Sequence, residues 1–516
     1  MTAGFTGATG PLHADVAIAG GGIAGLACGE ILASAGLRVV VCEAQAHLGG
    51  RAASFQDATT GDMVDIGPHV LSSEHRNFNA LLDRVGTAGH IAWQPDPLIT
   101  LLDGDARLHM RAPAWPAPLH GLPNLPNAAR CLSWADMASN WRIAWRALRM
   151  GEDELHGLDR LSALVYLNRL GVTPRAIEWF WSAAVLALLN VPLARCSAEA
   201  MMRVFRLMLG RSGYHFGFSK VALSQLYVPG CRRAIESAGG AVLTSAAVRT
   251  HRVYGGRFQS MVLEDGREVT ASAGVFALAP DALARMAQSG HAGVGLPLHE
   301  AQRFEPVRYL STYLWFDRPV ADERFWACVG ASTGLNTDFY DLSNIRYAGG
   351  MAGSVPSLIA SNAIHATQAW EWSDATVIDR TLHQLARFAP SAREARLVHA
   401  RVHRISMAVP APQPDTQRLR PHVRSGVTGL YIAGDWSATG LPCSMESAAR
   451  SAALAAEAVG AQLGRAVAPT LALPETTGLA AWLRRGDKAV HQPPGSGKKG
   501  PVPPATAHPP AGGAGP

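Results

Sequence analysis

The segment Gly20-Gly21-Gly22-Ile23-Ala24-Gly25 is the first whose residue types and spacing could do chemistry. It fits the pattern G-x-G-x-x-G. Glycines there let the main chain approach a pyrophosphate, and a helix that follows at once offers free N–H groups and a positive dipole end. Glu43 comes at the end of the next apolar run, where a carboxylate accepts hydrogen bonds from ribose hydroxyls. A second cluster, His47-Leu48-Gly49-Gly50-Arg51, places a glycine pair beside a guanidinium that can neutralise a diphosphate. In Gly67-Pro68-His69 a kinked turn lets the backbone lie flat against a planar group. Far downstream, Gly434-Asp435 puts a carboxylate at a strand end, where it can accept from a polyol hydroxyl. Met445 then opens a helix after Pro442, and its N-terminus can place positive potential on an anionic carbonyl.

These groups need scaffolding, and the hydrophobic pattern supplies it. Residues 15–19 and 37–42 read as strands around a small-residue helix at 23–35, a βαβ opening. Residues 75–88 read as helix. The stretch 111–128 carries Pro113, Pro116, Pro118, Pro123 and Pro126 and reads as loop or extended chain. Helices are expected at about 133–150, 158–170, 174–190 and 197–211. Strand patterns return at 240–243, 247–254 and 258–263, with Asp265-Gly266 as a hairpin turn, then at 274–279 and 309–316. The last strand is 430–433 and the last helix 444–463. From residue 490 the chain is Pro, Gly, Ala and Ser without apolar periodicity, and is expected to be disordered.

The whole chain has 516 residues, 48% hydrophobic and 17% charged, which suits a large globule with a sizeable core. The net charge of +6 comes without a Lys/Arg-rich block, so nucleic acid is not the implied partner. Only Lys220, Lys488, Lys498 and Lys499 are lysines, and no G-x-x-x-x-G-K-[ST] motif occurs. Pyridoxal and P-loop chemistry therefore have almost no lysine to draw on. The 7 cysteines include no C-x-x-C pair, so no metal site is expected and the reading is a reduced, cytoplasmic chain. Residues 1–14 lack the basic and apolar regions of a secretory signal. The longest apolar run, 179–194, is interrupted by Asn190 and Pro192 and is too short to span a bilayer.

The blocks VAIAGGGIAGLACGEILASAGLRVVVCEAQAHLGGRAAS and GLYIAGDWSATGLPCSMESAARSAALAAE resemble the two FAD-binding ends of the flavin amine oxidase/phytoene desaturase superfamily. In the middle, DIGPHVL, LHMRAPAWPAPLHGL and LALLNVPLARCSAEAMMRVF resemble the bacterial squalene-associated desaturase-like enzymes, the hydroxysqualene dehydroxylases. STYLWFDRPV is similar to plant-type phytoene and ζ-carotene desaturases. The resemblance implies FAD, with Gly20, Gly22, Ala24, Gly25, Glu43, Gly49, Gly50, Arg51, Gly67, Pro68, His69, Val248, Gly434, Asp435 and Met445 as cofactor contacts. Relatives often read G-Q-H where this chain has Gly67-Pro68-His69, and proline removes an amide donor there. Many amine-oxidising members use a lysine–water pair near the flavin. Lys220, in GFSKVAL, matches no such site, which disfavours an amine oxidase.

The implied fold class is α/β: a Rossmann-like FAD-binding domain of the amine-oxidase type with an interleaved α+β substrate domain. FAD-binding parts are expected at 14–110, 236–290 and 426–465. Substrate parts are expected at 111–235, mainly helical, and at 291–425, which contains strands. The implied activity is an FAD-dependent oxidoreductase acting on a long isoprenoid, first as reductive dehydroxylation of hydroxysqualene to squalene. The alternatives are a phytoene/ζ-carotene-type desaturase, then a flavin amine oxidase. A non-catalytic prenyl-binding protein of the same fold is argued against by Arg51 and Gly434-Asp435. The partners would be a long apolar substrate and an electron donor or acceptor that the sequence does not identify.

Candidate proton donors are His69, Glu74, His75 and Glu446. Trp179, Phe180, Trp181, residues 186–189, Met201, Met202, Phe205 and Met208 could line a hydrocarbon tunnel or simply pack a core. Trp134, Trp141, Trp145 and Leu148 fall near one side of a helix, with Arg142, Arg146 and Arg149 on another. This is either a core helix with a solvated Arg face or a helix lying peripherally in the inner membrane interface.

Overall fold

A computed structural model describes residues 12–94, 96–288, 293–330, 334–346 and 356–484; the expected disordered tail at 490–516 lies outside them. Strand β1 (Leu12–Ala19), helix α1 (Ile23–Ser34) and strand β2 (Val39–Cys42) form the expected opening, with β1 and β2 parallel and Val16 opposite Val39. The inner residues of both strands are buried, which is why they read as apolar runs and not as alternation. The sheet grows by distant segments. Ala241–Leu243 adds beside β2. On the other side of β1 come Glu268–Phe276, Arg257–Leu263 and Val248–Tyr254. Leu430–Ile432 pairs in parallel with Glu268–Phe276. Three stretches far apart in the chain thus make one sheet. Helix Met445–Leu463 packs on α1, and the alanines of the first meet the small residues of the second, so the two helices approach closely.

A second sheet runs in the order Leu397–Pro410, Pro306–Phe316, Ser357–Ala363, Asp338–Asp341, Phe325–Cys328, Ile99–Asp103, Ala106–Met110. Its strands alternate between two environments, as a period of two requires. Leu314, Phe316, Trp326 and Phe339 pack under helix Asp374–Phe388, where Trp326 stacks on Phe388 at 4.3 Å and 10°. Tyr313, Trp315, Phe325 and Tyr340 turn to the opposite side.

The structure corrects the sequence reading in three places. Residues 99–110 fall inside the expected FAD-binding part 14–110, yet Ile99–Asp103 pairs with Phe325–Cys328 in the second sheet. The proline-rich stretch is not all loop. Leu119–Asn124 forms a tight helical turn and Leu125–Ala128 a further turn, with Pro126 in the first turn, where a missing N–H costs nothing. The helix expected at 133–150 is two helices, Trp134–Ser139 and Trp141–Arg149, meeting at Asn140. Elsewhere in the middle, Ile177–Trp181 is a wide helical turn leading into Ser182–Leu189, and Ala198–Gly210 packs against Trp141–Arg149.

Candidate active site

The glycine motif sits where β1 gives way to α1, and three of its four glycines, Gly20, Gly22 and Gly25, do different things. Gly20 has φ +105°, open to glycine but strained for other residues. At Gly25 an added Cβ would lie 1.9 Å from the Gly20 carbonyl oxygen, so the helix can close on the strand only without a side chain. At Gly22 a Cβ would meet nothing within 4 Å, because that position faces open space. No side chain caps α1 at Gly22, and Gly22, Ile23 and Ala24 all border the same cavity. The first N–H groups of the helix are therefore available to an anion. Glu43 borders the cavity immediately after β2. It accepts from the Gly21 amide (2.6 Å) and the Gln45 amide (2.8 Å), one at each oxygen, which orients the carboxylate and leaves further lone pairs free. Val248 lies on the cavity wall beyond Glu43.

Gly49 and Gly50 both have positive φ (108° and 55°), and the buried Tyr227 hydroxyl donates to the Gly49 carbonyl at 3.0 Å, pinning the turn. Arg51 and Asp435 were expected to serve a diphosphate and a polyol separately. The structure brings them together: Arg51 donates to both Asp435 oxygens, at 2.6 and 3.1 Å, and both residues border the cavity. Burial works against the guanidinium charge, and the Asp435 carboxylate more than offsets this, so the pKa of Arg51 is raised. The Gly434 amide donates to Ser451, and the Asp435 carbonyl accepts from Arg420 (2.8 Å) and Ser447 (2.7 Å). Met445, at the start of its helix behind the N-cap Ser444, also faces the cavity. An uncapped helix start with open space at Gly22, an oriented acid at Glu43 and the paired turn at 434–435 fit a dinucleotide cofactor.

Gly67 lies against the second sheet, where an added Cβ would come within 2.8 Å of Ser311 Oγ. The Pro68 carbonyl accepts from Asn362 Nδ2 (3.4 Å). His69 Nδ1 donates to the Gly67 carbonyl (2.8 Å), and burial lowers the pKa of this imidazole. His75 accepts the Ser72 amide at Nδ1, and burial brings its pKa down to about 4. Glu74 is held by Arg211 at 2.7 Å. Glu446 is occupied structurally. It accepts from the Asn77 and Phe78 amides (3.1 and 2.9 Å) and from Asn77 Nδ2 (2.8 Å), closing the start of helix Arg76–Val85, while burial raises its pKa. All four candidate proton donors border the cavity.

That cavity has a volume of about 1750 Å³ and runs on from the cofactor motifs into the helical region. It exceeds the roughly 300–1,000 Å³ of a pocket for one drug-sized ligand. Trp179, Phe180, Trp181, Leu188, Phe205 and Met208 are among its walls. Leu186, Leu189, Met201 and Met202 are not. Leu189, Met201 and Met202 belong to a buried core behind the wall. The helix explains the difference: Ala184, Ala187 and Leu188 share the cavity face of Ser182–Leu189, while Val185 and Leu189 share the core face. Lys220, the one lysine among the described residues, is not on the wall. Sequence reasoning passed over Asp338, Tyr340 and Tyr309, which are. The available signal was the repeated Asp in Asp338-Phe339-Tyr340-Asp341, polar residues spaced through an otherwise apolar strand.

Several segments of the helical region and the helix Gly478–Leu483 carry exposed apolar residues. Trp134 is 77% exposed, Trp141 62% and Trp482 90%; Trp115, Leu119, Leu122, Leu125 and Trp145 are exposed as well. The three tryptophans of 134–145 are thus not core residues, whereas Leu148, expected beside them, is buried with Ala117 and Ala480. No helix of the described residues is long and apolar enough to cross a membrane.

Comparison with known proteins agrees with this geometry. The profile of the family described as flavin containing amine oxidoreductase matches residues 23–460. A 15-cis-phytoene desaturase of Solanum lycopersicum is 24% identical over 459 residues, covering 86% of this chain and 77% of that protein. A carotenoid phi-ring synthase of Streptomyces griseus is 29% identical over 460 residues, covering 86% and 87%. Among solved structures, a cyclohexylamine oxidase from Brevibacterium oxydans superposes with a TM-score of 0.64 at 18% identity, covering 88% of this chain and 100% of that one. A putrescine oxidase gives 0.65 at 18% identity with the same coverage.

Proposed function

Since the chain belongs to the flavin containing amine oxidoreductase family, and is an FAD-dependent oxidoreductase of the superfamily that joins amine oxidases with carotenoid desaturases, we propose that its substrate is a long isoprenoid hydrocarbon. The first reading is reductive dehydroxylation of hydroxysqualene to squalene. The observation that carries the proposal is the cavity: one continuous space of about 1750 Å³ that takes in the cofactor motifs and the helical region together and is lined mainly by apolar groups. A hydrocarbon offers nothing to hydrogen-bond along its chain, so its binding free energy comes from apolar area at about 25 cal/mol per Å².

FAD, when bound, supplies two-electron exchange. The chain's own residues do the remaining work. Gly22, Glu43, Arg51 and Asp435 border the cofactor end. His69 Nδ1 keeps its proton on the Gly67 carbonyl, and Asn362 ties Pro68 to the second sheet, so this segment is held rigid beside the reacting space. Trp179, Phe180 and Phe205 keep water from the substrate path.

A second reading, desaturation of a phytoene-type polyene, is favoured by the names of the curated relatives. The two readings run electrons in opposite directions, so one pair of assays separates them. Dehydroxylation predicts squalene from hydroxysqualene under reducing conditions. Desaturation predicts loss of phytoene with an added electron acceptor. Oxidation of a polar amine with neither lipid consumed would overturn the isoprenoid assignment.

The exposed Trp134, Trp141 and Trp145 support membrane-surface docking. Arg142 stacks on Trp141 (5.6 Å) and Arg149 on Trp145 (4.8 Å), so helix Trp141–Arg149 presents indole rings beside positive charge. That combination suits the headgroup level of an anionic bilayer. Asn140, which joins the two Trp-bearing helices, and Ala144, on helix Trp141–Arg149, also line the cavity. A lipid-soluble substrate would then pass from bilayer to cavity without crossing water.

A further inference from the structure

Most carboxyl groups on the cavity wall are already engaged. Arg51 holds Asp435, Arg211 holds Glu74, Arg285 holds Asp281, and main-chain amides hold Glu43 and Glu446. Asp338 stands apart. It is 8% exposed, borders the cavity, and has no ion pair with a basic side chain among the described residues. We propose that Asp338 is the proton donor of this active site, protonating the hydroxyl oxygen of an allylic isoprenoid alcohol as that oxygen leaves. The inference rests on the dehydroxylation reading and supplies the acid which that reading lacks.

The second sheet builds the site. Asp338 and Tyr340 are two residues apart on strand Asp338–Asp341 and so project from the same face, that of the cavity. Phe339, between them, packs under the helix on the other face. Asp338 pairs in register with Asn362, whose amide N–H donates to Asp338 Oδ1 at 3.3 Å. Asn362 Nδ2 donates in turn to the Pro68 carbonyl. The acid is therefore one residue removed from the segment that the sequence marks as facing the cofactor. Tyr309 also faces the cavity, and its hydroxyl donates to Asn190 Oδ1. This is a small polar patch in a mainly apolar space, which suits a substrate with a single oxygen.

The charge state follows from these surroundings. Burial pushes the Asp338 carboxyl up, hydrogen bonds from Asn362 and Tyr340 pull it back, and the balance lies at about 7. An acid with its pKa near the working pH is both protonated and able to release its proton. The titratable groups facing it are Tyr340 on its own strand, Tyr309 on Pro306–Phe316 and Cys328 on Phe325–Cys328. Burial keeps all three protonated: the tyrosines lie well above their usual value and Cys328 is pushed up to about 11. None titrates in the window where Asp338 does.

In the step itself the C–O bond breaks with its electron pair on oxygen, which takes the Asp338 proton and departs as water. To balance, the allylic carbon takes one hydrogen with two electrons, which FAD would supply in its reduced state when bound, and one proton returns to the Asp338 carboxylate to restore the acid. The overall change is alcohol plus reduced flavin to hydrocarbon, water and oxidised flavin. The Asp338 carboxylate left behind is met by the Asn362 amide and the Tyr340 hydroxyl.

The test compares wild type, Asp338→Asn and Tyr340→Phe, with flavin absorbance as a check on the holoenzyme. Two measurements are made: kcat for hydroxysqualene against pH under reducing conditions, and the infrared carbonyl band of a protonated carboxyl against pH without substrate. The wild-type rate is expected to fall as pH rises through about 7, with the infrared band fading over the same range. Burial also pushes the neighbouring Asp341 up to about 7, so the Asp338 band is read as the difference between wild type and Asp338→Asn; the variant should lose that share of the band and roughly 100-fold or more in kcat. Tyr340→Phe removes a hydrogen bond that lowers the pKa, so both the rate limb and the band should move to higher pH. Wild-type rate in Asp338→Asn would overturn the acid while leaving the dehydroxylation reading intact. A band that titrates as expected in a wild type that consumes no hydroxysqualene would overturn the reading, and the proton-donor role with it. Should Asp338→Asn fail to hold FAD, an unmoved limb and band in Tyr340→Phe overturn the proposal.

Discussion

Gly22→Val is expected to remove FAD while leaving the fold standing, whereas Gly25→Ala, chemically milder, is expected to damage the fold itself. The contrast comes from what each new side chain would meet. At Gly22 a Cβ finds nothing within 4 Å, and the residue's φ of −82° suits any L-amino acid. The apo-protein therefore accommodates valine at almost no cost. The space it fills is that in front of the uncapped start of α1, whose free N–H groups are those a cofactor diphosphate would need. Each hydrogen bond lost to a charged group costs about 1.5–3 kcal/mol, roughly 10- to 150-fold in Kd, and a branched side chain there displaces more than one. At Gly25 the Cβ would stand 1.9 Å from a main-chain oxygen, which cannot rotate away. Overpacking costs about 1–3 kcal/mol, and a backbone clash falls at or above the top of that range. The assay is the flavin-to-protein ratio from absorbance, together with thermal melting of both variants after flavin removal. Normal FAD content in Gly22→Val would refute the phosphate cradle. An apo-melt lower for Gly22→Val than for Gly25→Ala would refute the packing argument.

Leu188→Asp should abolish lipid turnover with unchanged melting, because Leu188 is an exposed part of the cavity wall. Leu189→Asp should unfold the chain, because an unpaired carboxylate in that core costs several kcal/mol; soluble, FAD-loaded Leu189→Asp would contradict the assignment of its face. Replacing Trp134, Trp141 and Trp145 together by serine should reduce co-sedimentation with anionic vesicles without altering FAD content, and wild-type binding should weaken with salt; equal sedimentation of variant and wild type would remove the membrane reading. His75 is held neutral, with a folded pKa of about 4, below that of an exposed imidazole near 6.5. Between those values the unfolded chain binds the extra proton, so stability should be full above about pH 6.5 and fall as pH drops towards 4; His75→Gln should flatten that slope in melting curves, and an unchanged slope would show that other groups cause it.

The cofactor end was legible in the sequence because its determinants are local. The order of strand, glycines, helix and acid from 15 to 43 is carried by neighbouring residues, and each glycine's task follows from backbone sterics. The same holds for Gly434-Asp435 and the helix beginning at Met445. Pairings across the chain were not legible. Arg51 and Asp435 are 384 residues apart, and each motif alone suggested a ligand, not a partner. Hydrophobic patterns also failed to separate wall from core. Leu188 and Leu189 are adjacent and chemically identical, and only the position of helix Ser182–Leu189 between cavity and core assigns them different roles. The tryptophans at 134, 141 and 145 have core composition but lie outside, because no element of the described fold covers them. Asp338 is the sharpest case. In sequence it is one acid among 40 acidic residues. Its chemistry comes from a sheet whose strands derive from 99–110 and 306–410, and which buries the carboxyl without a cation and aims it at the cavity. Motif spacing encodes what a residue does with its neighbours; desolvation and facing depend on elements hundreds of residues away, and these the folded chain alone decides.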